Sequence, residues 1–121
     1  MASILIADDE ARISSFIDKG LRAAGFATHV AADGAEALDA ALTDEFDLLV
    51  LDVNLPTLDG FEVLAALRDE GIGCKVIVVS GDVQEEAIRR VSALGALAFI
   101  KKPADPEKLR ETLSRLGLLD T

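Results

Sequence analysis

Short apolar runs alternate with helical patterns along the whole chain, and that alternation leaves few folds open. The runs cover residues 3–7, 26–31, 46–51, 75–79 and 97–100. The first is apolar on both faces, as a central parallel strand should be. Between the first two runs, Ile13, Phe16, Ile17, Leu21 and Ala24 recur at helical spacing, and Gly25 marks a stop. Asp33-Gly34-Ala35-Glu36 reads as an N-cap with a glutamate three residues on, and its helix turns Ala35, Leu38, Ala41 and Leu42 inward. Asp59-Gly60-Phe61-Glu62 repeats the signature and opens a helix to about Glu70, ended by Gly71 and Gly73. Asp82-Val83-Gln84-Glu85 is a third cap, with Val83, Ala87, Val91 and Leu94 inward and a stop at Gly95. Asp105-Pro106 opens the last helix, whose inward stripe is Leu109, Leu113 and Leu116.

Five βα units result. Right-handed crossovers give a parallel sheet covered on both faces. The chain has 121 residues, too few to close an eight-stranded barrel. The expected fold is therefore α/β, a flavodoxin-like (βα)5 doubly wound sheet in the order 2-1-3-4-5, with strand 2 at an edge. One domain spanning residues 1–121 is expected.

Acidic residues number 22 and basic residues 12, a formal charge of −10. That argues against direct nucleic-acid binding, which relies on cations against phosphates. The single cysteine, Cys74, cannot form an internal disulfide. No run approaches the roughly 18 apolar residues of a membrane span. A cytoplasmic protein without membrane insertion is the expectation.

Four of the five runs end in chemically pointed residues: Asp8 and Asp9, Asp52, Ser80, and Lys101 with Lys102. Open α/β sheets place their sites at this edge. The order 2-1-3-4-5 brings Asp8, Asp9 and Asp52 side by side. Two carboxylates ~4 Å apart repel by about 4 kcal/mol at an effective dielectric near 20. Either protons are taken up or a cation sits among them. Oxygen-only donors with no Cys or His nearby suit Mg²⁺ rather than zinc. Asp52 is the candidate nucleophile, able to form an aspartyl-phosphate. One lysine at the end of strand 5 is charged to bind a phosphoryl oxygen, and Ser80 could donate to another. His29 and Cys74 read as structural residues, and Gly60 as a backbone requirement beside the site.

These residues resemble a family, the receiver domain of bacterial two-component response regulators, over essentially the whole chain. The resemblance rests on Asp8-Asp9, on Asp52 in Asp52-Val53-Asn54-Leu55-Pro56-Thr57-Leu58-Asp59-Gly60, on Ser80-Gly81 and on Lys102-Pro103. It implies that Asp52 accepts a phosphoryl group from a phosphohistidine on a sensor histidine kinase or a histidine phosphotransfer protein. It implies that Asp9, Asp52 and the backbone carbonyl of Asn54 ligate Mg²⁺ directly, with Asp8 acting through water. Lys102 matches the phosphate-binding lysine, leaving Lys101 solvated, and the Lys102–Pro103 bond is expected to be cis. Ser80 and Phe99 match the switch pair, with Phe99 where tyrosine is often found. The face of helix 4, strand 5 and helix 5, near Arg89, Arg90 and Lys101, is the implied output surface.

Two other functions compete with a phosphorylation-controlled switch. An aspartyl-nucleophile phosphatase wants an acid two residues after the nucleophile, where this chain has Asn54. A phosphorylation-independent interaction module would be expected to lack Asp9, Asp52 or Lys102. A flavodoxin-like cofactor binder would need a hydroxyl- and glycine-rich loop where this chain has Asp8-Asp9-Glu10. The last helix ends near Gly117 and four residues follow, so no output domain is expected if the chain is complete, whereas a DNA-binding or enzymatic output could follow in a longer protein.

Overall fold

The computed structural model describes residues 3–43, 46–81, 84–102 and 106–117. Five strands, β1 (Ser3–Ala7), β2 (Ala27–Ala31), β3 (Leu48–Asp52), β4 (Lys75–Ser80) and β5 (Ala98–Lys101), form one sheet. All pairings are parallel and the order is β2-β1-β3-β4-β5, as the sequence predicts. Five helices alternate with them: α1 (Ala11–Ala23), α2 (Gly34–Thr43), α3 (Gly60–Asp69), α4 (Glu85–Ala93) and α5 (Pro106–Arg115).

The period-2 alternation of the central strands splits the core in two. Leu5, Ala7, Leu49, Leu51, Val76 and Val78 pack with α2, α3 and α4. Ile4, Ile6, Leu48, Val50, Ile77, Val79 and Ile100 pack with Ile17 and Leu21 of α1 and Leu109 and Leu113 of α5. Both faces of β1, β3 and β4 are therefore dry, which explains why their sequences are continuously apolar.

The helix caps follow local chemistry. At α3, the Glu62 N–H donates to Asp59 Oδ1 (2.9 Å) and the Asp59 N–H donates to Glu62 Oε1 (3.2 Å), a complete capping box. At α2, the Glu36 N–H donates to Asp33 Oδ1 (2.8 Å), but the Glu36 carboxylate reaches Ala32 N–H at 3.4 Å instead of the cap residue. Gly25 and Gly95 end α1 and α4 with φ of 98° and 101°. The cap expected at Asp82 is corrected: α4 begins at Glu85 with Gln84 as its N-cap, which makes no side-chain capping bond. The cap expected at Asp105, the inward Val83 and the Lys102–Pro103 bond lie outside the described residues.

Several inward assignments are corrected. Phe16 is 58% exposed, and the buried face of α1 runs through Ser14, Ile17 and Leu21. Phe16 points about 120° away from that face on a 3.6-residue helix. The Ser14 hydroxyl donates to Ala11 O (3.3 Å), so its polar atom is satisfied where it is buried. In α2 the buried face is Gly34, Ala37, Ala40 and Ala41, while Ala35 and Leu42 are exposed. Ala24 and Leu116 are also exposed, lying just past the ends of α1 and α5. Leu97 precedes β5 and is exposed, and Lys101 extends that strand instead.

Candidate functional site

The carboxyl ends of β1, β3, β4 and β5 meet at one edge of the sheet. Asp52 closes β3 and pairs in register with Val79. Asp8 follows β1, and its N–H donates to Ala31 O (3.1 Å). Ser80 closes β4 and is buried. The Lys102 N–H donates to Ser80 O (2.9 Å), which fixes Lys102 one residue beyond β5.

One carboxylate oxygen from each of Asp8, Asp9 and Asp52 lies within 4.8 Å of the others. Asp8 and Asp52 are only 4% and 2% exposed, whereas Asp9 is open to solvent. Lys102 Nζ stands 2.9 Å from Asp52 Oδ2, 3.7 Å from Asp8 Oδ2 and 3.6 Å from Glu10 Oε1. Lys101 is exposed, so the acids face Lys102.

Burial pushes the Asp8 carboxyl above its usual range, and the charges of Asp52 and Glu10 push it the same way. The Glu10 N–H, which donates to Asp8 Oδ1 (2.9 Å), and the Lys102 ammonium oppose that rise. Burial works against the charge of Lys102, but its hydrogen bond to Asp52 and the attraction of Asp52, Asp8 and Glu10 outweigh burial. The Lys102 pKa stands above its ordinary value. Three acids around one ammonium, with Asp9 beside two of them, leave an excess of negative charge. With oxygen donors only and one open side, the set fits a hard divalent cation that keeps some of its waters.

Glu10 escaped the sequence reading as a site residue. The signal was the third acid in Asp8-Asp9-Glu10, which the turn after β1 swings toward Lys102. Glu10 is also the N-cap of α1, and its side chain makes no capping bond. The Asn54 N–H donates to Asp52 Oδ1 (3.1 Å), so the residue after next holds the carboxylate in place. Phe99 is half-buried against the α2–α4 side of the core, in register with Val78. A cavity of about 240 Å³ opens beside Ser80 and Asn54, walled by Phe61 and Arg90. The Arg90 guanidinium sits 4.0 Å above the Phe61 ring. His29 is exposed and packs its ring near Phe46, away from the acids.

Residues 4–114 match the response regulator receiver domain. The chain belongs to that family. Among its relatives, the response regulator protein PmrA of Pseudomonas aeruginosa is 36% identical over 115 residues, covering 93% of this chain and 51% of PmrA. The chain therefore spans about half the length of that relative. The sporulation initiation phosphotransferase F of Bacillus subtilis is 32% identical over 114 residues, covering 93% of this chain and 90% of its own.

Solved structures agree. The chemotaxis response regulator CheY4 of Vibrio cholerae superposes with a TM-score of 0.89 at 34% identity, over 96% of this chain and 98% of that one. The response regulator TrrA of Thermotoga maritima, solved in complex with Mg²⁺-BeF, superposes at 0.83 with 27% identity over 96% and 99%. The receiver domain identity accounts for the strand order and for an acidic cluster able to bind a metal. Among the described residues, no helix is long and apolar enough to cross a membrane.

Proposed function

We propose that this receiver domain is a phosphorylation-activated switch in which Asp52 accepts a phosphoryl group from a phosphohistidine. The donor is a sensor histidine kinase or a histidine phosphotransfer protein. The observation that carries this reading is the buried Asp52 carboxylate with Lys102 Nζ 2.9 Å from one oxygen and the Asn54 N–H 3.1 Å from the other. Asp52 attacks phosphorus, the donor P–N bond breaks, and the imidazole leaves with the electron pair. Asp9 and Asp52, with the backbone carbonyl of Asn54, would hold Mg²⁺, and Asp8 would hold one of its waters. When bound, Mg²⁺ neutralises phosphoryl oxygens and offsets the carboxylate repulsion.

Lys102 is placed to transfer its hydrogen bond from Asp52 to a phosphoryl oxygen, and the Ser80 hydroxyl is the donor to another. As Ser80 moves, Phe99 turns inward and alters the surface formed by α4, β5 and α5. The output is changed partner binding or transfer of the phosphoryl group along a relay. The name of the Bacillus subtilis relative, a phosphotransferase covered over 90% of its length, favours the relay. Asn54, in place of an acid, disfavours a turnover phosphatase. A cytoplasmic site of action follows from the phosphodonor.

Incubation with acetyl phosphate and Mg²⁺, followed by intact mass, tests the reading. One added phosphoryl group, lost in Asp52→Asn and with chelator, is expected. Binding of a target that ignores phosphorylation would favour the interaction module instead.

A further inference from the structure

Residues 53–59 join β3 to α3 without a helix or strand of their own, and they include Asn54. Thr57 in this connection has φ 66°, the only positive φ at a non-glycine residue among those described. A β-branched residue in the left-handed region is a true outlier, and glycine or asparagine would sit there more easily. Something holds threonine in place. Its Oγ1 accepts a hydrogen bond from the Ala35 N–H (3.0 Å) and donates one to Asp33 Oδ1 (3.2 Å).

The neighbouring contacts make a clasp. The Gly34 N–H donates to Pro56 O (3.0 Å), and a Cβ on Gly34 would stand 1.8 Å from Leu58 O. The N–H groups of Gly34, Ala35 and Glu36 open α2 and are taken by Pro56, Thr57 and Asp33. Two of those three acceptors belong to the β3–α3 connection. At its other end, the Gly60 N–H donates to Val53 O (2.8 Å), and a Cβ on Gly60 would meet Val53 Cα at 2.7 Å. Between these anchors lies Asn54, whose N–H holds Asp52 Oδ1.

We infer that Thr57 is a positioning residue for the cation and phosphoryl site. Its hydroxyl ties the connection to α2 and so fixes the backbone of Asn54 relative to Asp52. The inference rests on the reading of Asp52 and Asn54 proposed above. Thr57 lies three positions after Asn54, with Leu55 and Pro56 between them, a reach of at most ~10 Å. Without the Thr57 hydroxyl, that end of so short a span is left with the Gly34 N–H to Pro56 O bond to α2, which holds the backbone at Asn54 less firmly. Supporting residues of this kind change metal affinity by about tenfold or more.

The test compares wild type with Thr57→Gly, Thr57→Val and Thr57→Ser. Mg²⁺ affinity is read by calorimetry, and phosphoryl uptake from phosphoramidate is followed against Mg²⁺ concentration by intact mass. Glycine is at ease at φ 66°, so a loss in Thr57→Gly is not a result of backbone strain. Thr57→Val keeps the branch and replaces the hydroxyl with a methyl group. Both should bind Mg²⁺ about tenfold more weakly and need about tenfold more of it for half-maximal uptake, yet approach the wild-type rate at saturation. Thr57→Ser should restore wild-type affinity. A wild type that binds Mg²⁺, with glycine and valine variants that match it, would overturn the inference alone. A wild type that binds no Mg²⁺ would overturn the site reading with it.

Discussion

Lys102 Nζ and Asp52 Oδ2 are 2.9 Å apart, across the end of a sheet in which their strands, β5 and β3, are not neighbours. β4 lies between them and contributes Ser80, whose carbonyl accepts from the Lys102 N–H. The pair thus joins three strand ends. Lys102 is the cation bridging Asp8, Glu10 and Asp52.

Lys102→Ala should leave two buried carboxylates without their ammonium. Removing one partner of a buried charge-assisted bond costs about 1–3 kcal/mol. Thermal unfolding in chelator should show that loss, and added Mg²⁺ should still bind and recover part of it. Phosphorylation-dependent partner binding should disappear. An intact response would shift the role to Lys101.

Mg²⁺ should stabilise the wild type, because a cation relieves the repulsion among Asp8, Asp9 and Asp52 only in the folded chain. At ten times its Kd, Mg²⁺ adds about 1.4 kcal/mol. For a chain of this size that raises Tm by about 5 °C. Asp9→Asn should lose most of that rise in a calorimetric scan. A full rise in the variant would remove Asp9 from the ligand set.

Leu109 and Phe16 test the corrected helix faces. Leu109 is fully buried beneath α5, and Leu109→Ala should cost about 2–5 kcal/mol in chemical denaturation. Phe16→Ala, on the exposed face of α1, should stay within about 0.5 kcal/mol of wild type.

Cys74 should be sluggish. Burial, aided by the nearby Asp47 carboxylate, pushes its thiol up to about 11. At pH 8 the thiolate fraction falls about a hundredfold below that of an ordinary thiol, and the greater nucleophilicity of a basic thiolate recovers about tenfold. Alkylation by iodoacetamide should therefore run about tenfold slower than in the unfolded chain. The sign for stability follows from proton binding. Between about pH 9 and 11 the unfolded thiol ionises first, so stability falls as pH rises.

The sheet order and the acidic cluster were legible because their signals are local and unambiguous. Runs such as Leu48–Leu51 are apolar on both faces, and Asp8, Asp52 and Ser80 sit where those runs stop. The helix faces were less legible. In α2 the packing surface is Gly34, Ala37, Ala40 and Ala41, where small size lets the helix approach, so the larger Leu42 misleads a reading based on hydrophobicity. Phe16 misleads in the same way, while Ser14 and Thr112 are buried because each hydroxyl bonds a carbonyl of its own helix. Glu10 and Thr57 depend on how a turn is wound, which no periodicity records.

The central claim is that Asp52 takes the phosphoryl group. Intact mass after incubation with acetyl phosphate and Mg²⁺ should show one added phosphoryl group on wild type and none on a folded Asp52→Asn variant. Labelling of that variant to the wild-type level would contradict the claim.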